Sequence, residues 1–140
     1  MDVEQVREIE RQCSNVLMQC RYQADMQEYE KSAAFFTRDV VFRSGESEPI
    51  VGREANLKSM YKNISDLFMR CVISNILVTV IDADHATATS YWVMYRHKKA
   101  DVDEGKVSTA EPSHFCESAD TFVRTDEGWR IAERNFKMVL

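Results

Sequence analysis

Few side chains in this sequence combine a reactive type with a placement that could use it. Asp25 stands at the end of an apolar-striped segment, four residues after Arg21 and three after Tyr22. Two readings are open for it. As a carboxylate beside an apolar surface it could move a proton on a carbon acid or a hydroxyl, with Tyr22 on the same flank. As the first residue of Asp25-Met26-Gln27-Glu28 it fits the D-x-x-E capping box of a following helix, and spacing alone favours that cap. Cys71 would be a nucleophile only as a thiolate; no histidine stands beside it in the sequence, so filling space is the simpler reading. Tyr91 and Tyr95 alternate onto one face of a strand-like segment and Trp92 onto the other. The tyrosine hydroxyls could donate to a carbonyl oxygen, or the rings could pack the sheet. His97 ends the same segment and offers an imidazole. His114 and Glu117 follow on the next and could reach the mouth or the interior, although such a residue near a loop is more often solvated. Phe115 and Phe136 add aromatic surface for a pocket wall.

What is missing narrows the chemistry further. Cys13, Cys20, Cys71 and Cys116 make no CxxC pair, and His85, His97 and His114 make no HxH or HxxH spacing, so no metal is expected. No glycine-rich phosphate loop occurs, so no nucleotide and no cofactor is expected. The formal net charge is −5 and no Lys/Arg run exceeds two residues, which argues against nucleic acid as a partner. No apolar run approaches the ~18 residues needed to cross a bilayer. The opening MDVEQVREIERQ lacks the apolar heart of a signal peptide, and a cytoplasmic setting is the expectation.

The elements that must position these residues are legible from period. With 140 residues, 44% hydrophobic and 29% charged, one α+β domain over 1–140 is expected. Val6, Ile9, Cys13, Val16, Leu17, Cys20 and Ala24 form a single helical stripe, started by Asp2 with Gln5 as a capping box. A second helix is expected over 28–36, with Tyr29, Ala33 and Phe36 on one side. Residues 37–39 break it, and Val40-Val41-Phe42 reads as a short strand. After a polar loop over 44–49, Gly52-Arg53-Glu54 opens a third helix that would bury Ala55, Leu57, Met60, Tyr61 and Ile64. Strands are then expected over 68–81 and 86–95, joined at Asp82-Ala83-Asp84, and over 113–124 and 129–138, joined at 125–128. Residues 100–112 read as a mobile connection at one rim. Helices first and hairpin-linked strands later imply an antiparallel sheet with helices on one face. Val72, Ile76 and Val78 would alternate onto the other face, where a homodimer is expected to form.

Three stretches carry a family resemblance. EYEKSAAFFTRDVVF (28–42) resembles the helix-to-strand passage of SnoaL-like proteins in the NTF2-like superfamily. IVGREA (50–55) resembles the start of that group's third helix, and DTFVRTDEGWRIAER (120–134) its closing strands. The resemblance implies a cone of helices wrapped by a strongly curved antiparallel sheet, with one deep apolar pocket open at one end. In the scytalone dehydratase-like branch, an Asp ending the first helix and a His on the first long strand act as an acid/base pair. The Asp matches Asp25; the His position falls on Cys71, which cannot exchange protons near neutrality as imidazole does. The expected function is a cofactor-independent lyase or isomerase acting on a cyclic, largely apolar small molecule. Asp25 would be catalytic, with Tyr22, Cys71, Tyr91, Tyr95, His97 and Phe115 around the substrate. A non-catalytic carrier, or a small structural subunit of a ring-hydroxylating oxygenase, shares the same fold.

Overall fold

A computed structural model describes residues 1–107 and 111–139. Helix α1 runs Val3–Asp25, and both halves of its capping box form: Gln5 N–H donates to Asp2 Oδ1 at 2.8 Å, and Asp2 N–H donates to Gln5 Oε1 at 3.0 Å. Its stripe of Ile9, Cys13, Val16, Leu17, Cys20 and Ala24 is buried, as the spacing requires. A left-handed Gln27 (φ 63°) turns the chain sharply after the helix.

Helix α2 spans only Tyr29–Ala33, and its N-cap is Glu28, with no side-chain cap. Asp25 therefore does not close a capping box. Phe36 starts strand β1 (Phe36–Ser44) instead of ending α2. The reason is competition from the sheet. Ile131 N–H takes the Phe35 carbonyl at 2.9 Å, and Phe36 pairs with Ile131 on the last strand. Strand β2 (Ile50–Val51), too short to show a period, pairs with β1 and leads into α3 (Arg53–Asn63).

The Gly-Arg pair at that junction has a physical reason. Gly52 sits at φ 101°, a conformation that side-chain-bearing residues avoid. The Arg53 guanidinium then donates two hydrogen bonds to the Phe36 carbonyl, pinning α3 to the start of β1. The expected apolar side of α3 is buried only in part, Leu57 and Met60 packing against the core. Ala55 and Tyr61 are exposed, Leu57 and Met60 are half-buried, and the fully buried residue is Asn56. Its amide donates to the Ile50 and Gly52 carbonyls, so α3 is held through polar bonds to the β2 turn.

Strands β3 (Leu67–Val80), β4 (His85–Lys98), β5 (His114–Thr125) and β6 (Gly128–Met138) form an antiparallel meander. The curved open sheet has the order β2-β1-β6-β5-β4-β3. One pairing departs from the expected antiparallel plan: β1 lies parallel to β6. A parallel neighbour must arrive by a crossover and not by a hairpin, and here the crossover spans most of the chain. Between β4 and β5, a 3₁₀ turn (Lys99–Asp101) and a bridge between Asp103 and Lys106 are formed; residues 108–110 of the expected connection lie outside the described residues.

A bulge resets the faces of β3. Register breaks between Ser74 and Leu77, where Asn75 adopts φ 52°. An extra residue flips every side chain beyond it. Val72 stays outside at 56% exposure, whereas Ile76 and Val78 turn in against the core. The three do not share the outer face that alternation assigned them. On β4 the inner face begins with Ala86, Ala88 and Ser90, all buried and small enough to admit α1. Trp92, Phe122, Leu17 and Ile131 complete the packed interior.

Candidate functional site

Beyond Leu17 the interior stops being filled. A cavity of about 330 Å³ lies between the last turns of α1, the inner face of the sheet and α3. Phe36 and Phe42 of β1, Met94 of β4 and Phe136 of β6 make most of its wall apolar, and Asn56, Ser59 and Asn63 bring polar groups from α3. Asn63 and Met138 are exposed, which places the mouth between α3 and the end of β6. Three guanidinium groups reach this wall, those of Arg21, Arg96 and Arg134. Among the described residues it carries no carboxylate, imidazole or phenol.

Asp25 stands directly behind that wall. Its side chain is 8% exposed, and both oxygens are engaged. Arg21 Nε donates to Oδ1 at 2.9 Å, and the Cys71 N–H donates to Oδ2 at 3.0 Å. Arg21 Nη2 is also 2.9 Å from Oδ1 but too bent for a hydrogen bond. The aspartate thus ties the C-terminus of α1 to β3, a structural task that neither sequence reading of this residue contained.

A second carboxylate–guanidinium pair lies deeper. Arg134 Nε donates to Asp120 Oδ1 at 2.7 Å, and Ser118 Oγ donates to Oδ2 at 3.1 Å. Both charged side chains are buried, at 6% and 0% exposure. Burial pulls the Arg134 pKa down most strongly, but Asp120 and Cys20 together outweigh it, and the guanidinium is held charged above its ordinary value. Its Cζ lies 5.0 Å from the Trp92 ring and 5.7 Å and 5.6 Å from those of Phe36 and Phe136. Those rings favour the cation and fix its position.

The residues singled out from sequence are not brought together. Tyr22 is 59% exposed and does not line the cavity. Tyr91 lies on the outer face of the sheet, its ring 5.8 Å from that of Phe115. Tyr95 and His97 alternate onto the same outer face, and the His97 Nε2 is buried there without a partner. The cause is the run Ala86, Ala88, Ser90, Trp92, which must face α1 and so sends the odd-numbered residues of β4 outward. Cys71 does face inward, half-buried beside Arg21 and Asp25. Burial pushes its thiol up to about 11, and the positive charge of Arg21 only partly offsets this. It remains a thiol at neutral pH, as do Cys13, pushed up to about 12 by burial, and Cys116, shifted in the same direction. His114 is held below the ordinary imidazole value by burial and then by the nearby charge of Arg96.

Arg96, Asp120 and Arg134 went unrecognised in the sequence, although Arg96 left a signal. Asp120 and Arg134 are direct partners across the β5–β6 hairpin. Pairing the strands outward from the turn at 125–128 without a break would set Asp120 opposite Glu133; a bulge between Thr121 and Phe122 shifts the register by one residue and brings Arg134 there instead. Arg96 follows Trp92 and Met94 at period two, so it shares their inward face.

This arrangement fits a known family. The SnoaL-like domain matches residues 5–135. The chain belongs to the SnoaL-like domain family. SnoaL-like proteins have the NTF2-like fold, and the family includes polyketide cyclases and dehydratases. Similar solved structures include a Novosphingobium aromaticivorans protein provisionally assigned as a scytalone dehydratase, at 18% identity and TM-score 0.83, covering 99% of this chain and 89% of that one. Another is Rv3472 of Mycobacterium tuberculosis, a protein of unknown function, at 25% identity and TM-score 0.78, covering 96% and 73%. ActVI-ORFA of Streptomyces coelicolor matches at 17% identity and TM-score 0.78, covering 94% and 98%. No curated protein matches the sequence. No described helix is long and apolar enough to cross a membrane.

Proposed function

We propose that this SnoaL-like protein binds a ring-sized, largely apolar small molecule in the cavity between α1, α3 and the sheet. The observation that carries the reading is the wall itself. It joins aromatic and thioether surface to a few hydrogen-bond donors, in a space of about 330 Å³ with a mouth to solvent. A neutral, environment-sensitive naphthalene dye such as prodan tests it. Binding should shift its emission to the blue, and Ser59→Trp, which plugs the cavity from α3, should abolish the shift. Equal binding by the plugged variant, or no binding by the native protein, would refute the proposal.

A second reading is a cofactor-independent lyase or isomerase, as in the dehydratases and cyclases of the family. What favours it is the Arg21–Asp25 pair, whose guanidinium is on the cavity wall and whose carboxylate is behind it. To act as acid or base, Asp25 must first leave the Cys71 amide and swing past Arg21. With a turned-over substrate in hand, Asp25→Asn should then lower kcat by ~100-fold or more, while Cys71→Ser costs little. Full activity with an earlier melt would leave Asp25 a structural tie. Homodimerisation through the outer face of β3 and β4, where Val72, Leu77 and Tyr91 are exposed, belongs to the same proposal. A monomeric mass by light scattering well above micromolar concentration would count against it.

A further inference from the structure

We infer that the ligand of this cavity is a monoanion, an organic acid carrying its charge on a ring-bearing skeleton, and that Arg96 with the free edge of Arg134 receives that charge. The inference rests on the binding reading above and deepens it. Three guanidinium groups line the cavity, but only two have carboxylates: Arg21 has Asp25 and Arg134 has Asp120. Arg96 makes no ion pair with any described residue, and its Nε is buried without a partner. One positive charge is therefore left over on a mostly apolar wall.

Arg134 supplies the second donor. Asp120 occupies its Nε and is itself completed by Ser118, so the pair is closed on that side. The Nη2 is buried without a hydrogen-bond partner, the Cys20 thiol being the guanidinium's other polar neighbour, and it belongs to a side chain that lines the cavity and is 6% exposed. An unmet donor in such a place is costly, because removal from water is not repaid by a bond. The rings of Trp92, Phe36 and Phe136 hold the guanidinium at the cavity wall, so little further ordering is needed for it to meet a ligand oxygen.

The chemistry of the wall sets the class. A cationic ligand is opposed by the surplus charge, and a neutral one leaves that charge unmet. A multiply charged phosphate would exceed the single surplus charge and gain nothing from the phenyl and thioether surface. A carboxylate or an acidic enol on a ring system satisfies both parts, because planar guanidinium groups bind such oxygens through paired donors.

Calorimetric titration with 2-naphthoate and with its neutral isostere 2-naphthamide tests the inference. The acid should bind about tenfold tighter or more, the scale of a charged hydrogen bond. Arg96→Gln should bring the two affinities together while amide binding persists. Arg134→Lys keeps a charge for Asp120 and should weaken the acid alone. Equal affinities in the native protein, or a preference that survives Arg96→Gln, would overturn the inference and leave the binding reading standing. If neither compound binds while prodan does, the inference alone falls; if none of the three binds, both fall. An Arg134→Lys protein that melts normally and binds the acid unchanged would remove Arg134 from the site.

Discussion

The two ends of the same sheet meet α1 in opposite ways. At the end near Ile9 and Cys13, Ala86, Ala88, Phe122, Trp129 and Ile131 close on the helix and exclude solvent. At the other end, the same strands carry Met94, Arg96, Cys116, Arg134 and Phe136 and leave space. Strands β4, β5 and β6 run through both ends, and their pairing is broken only by a bulge in β5–β6 between Thr121 and Phe122, at the boundary. What differs is side-chain volume and charge. Ala86 and Ala88 let the helix come down onto the sheet at one end, whereas Met94, Arg96 and Arg134 stand in the corresponding inward positions at the other. One scaffold therefore supplies a packed core at one end and a cavity at the other, with Asp120 and Arg134 at the boundary.

The largest expected effect falls at that boundary. Asp120→Ala leaves a buried guanidinium without its partner and should cost about 3–5 kcal/mol in denaturant unfolding. Replacing both members, as Asp120→Leu with Arg134→Met, should cost much less; an equal loss would mean that packing, not charge, governs the site. Next comes the packed end. Leu17→Ala should lose about 3 kcal/mol, and Met60→Ala, half-buried and already beside a cavity, less than half as much. Similar losses at both positions would erase the contrast between the ends.

A smaller effect concerns the bulge that decides which β3 residues face inward. Asn75→Val forces a branched side chain into left-handed backbone and should cost about 1–3 kcal/mol, whereas Asn75→Gly should be near neutral. The smallest effect is a pH dependence at the cavity end. The folded state holds His114 below its ordinary 6.5, so near and below that pH the unfolded chain binds the extra proton. Stability should therefore fall on acidification between 6.5 and the lowered value, and rise with pH across the same window. His114→Gln should flatten that part of the stability–pH curve. An unchanged slope would assign the acid sensitivity to another group.

Local chemistry made much of the architecture legible. The α1 stripe and its Asp2–Gln5 box depend on residues within a turn of each other, and the β3–β4 and β5–β6 hairpins announce themselves through Asp82-Ala83-Asp84 and the turn ending at Gly128. The site was read less well. Tyr91, Tyr95, His97 and Phe115 have suitable chemistry, but alternation says only that residues share a face, not which face meets the helix. Ala86 and Ala88 held that answer as a pattern of small volume. Asp25 was weighed as a cap or a base because both depend on near neighbours; its true partner, the Cys71 amide, is 46 residues away.

By itself, the sequence determined the helical stripe, the strand periods, the turns and the absence of phosphate-loop and metal-ligand spacings, since each depends on residues close along the chain. Tertiary structure alone decided three things. The parallel union of β1 with β6 ended α2 early. The Asn75 bulge turned Ile76 and Val78 inward. The curvature of the sheet brought Arg21, Arg96 and Arg134 from three separate elements to one cavity. Each of these joins residues far apart in the chain, and their geometry depends on backbone pairing and packing volume together, which no local spacing encodes.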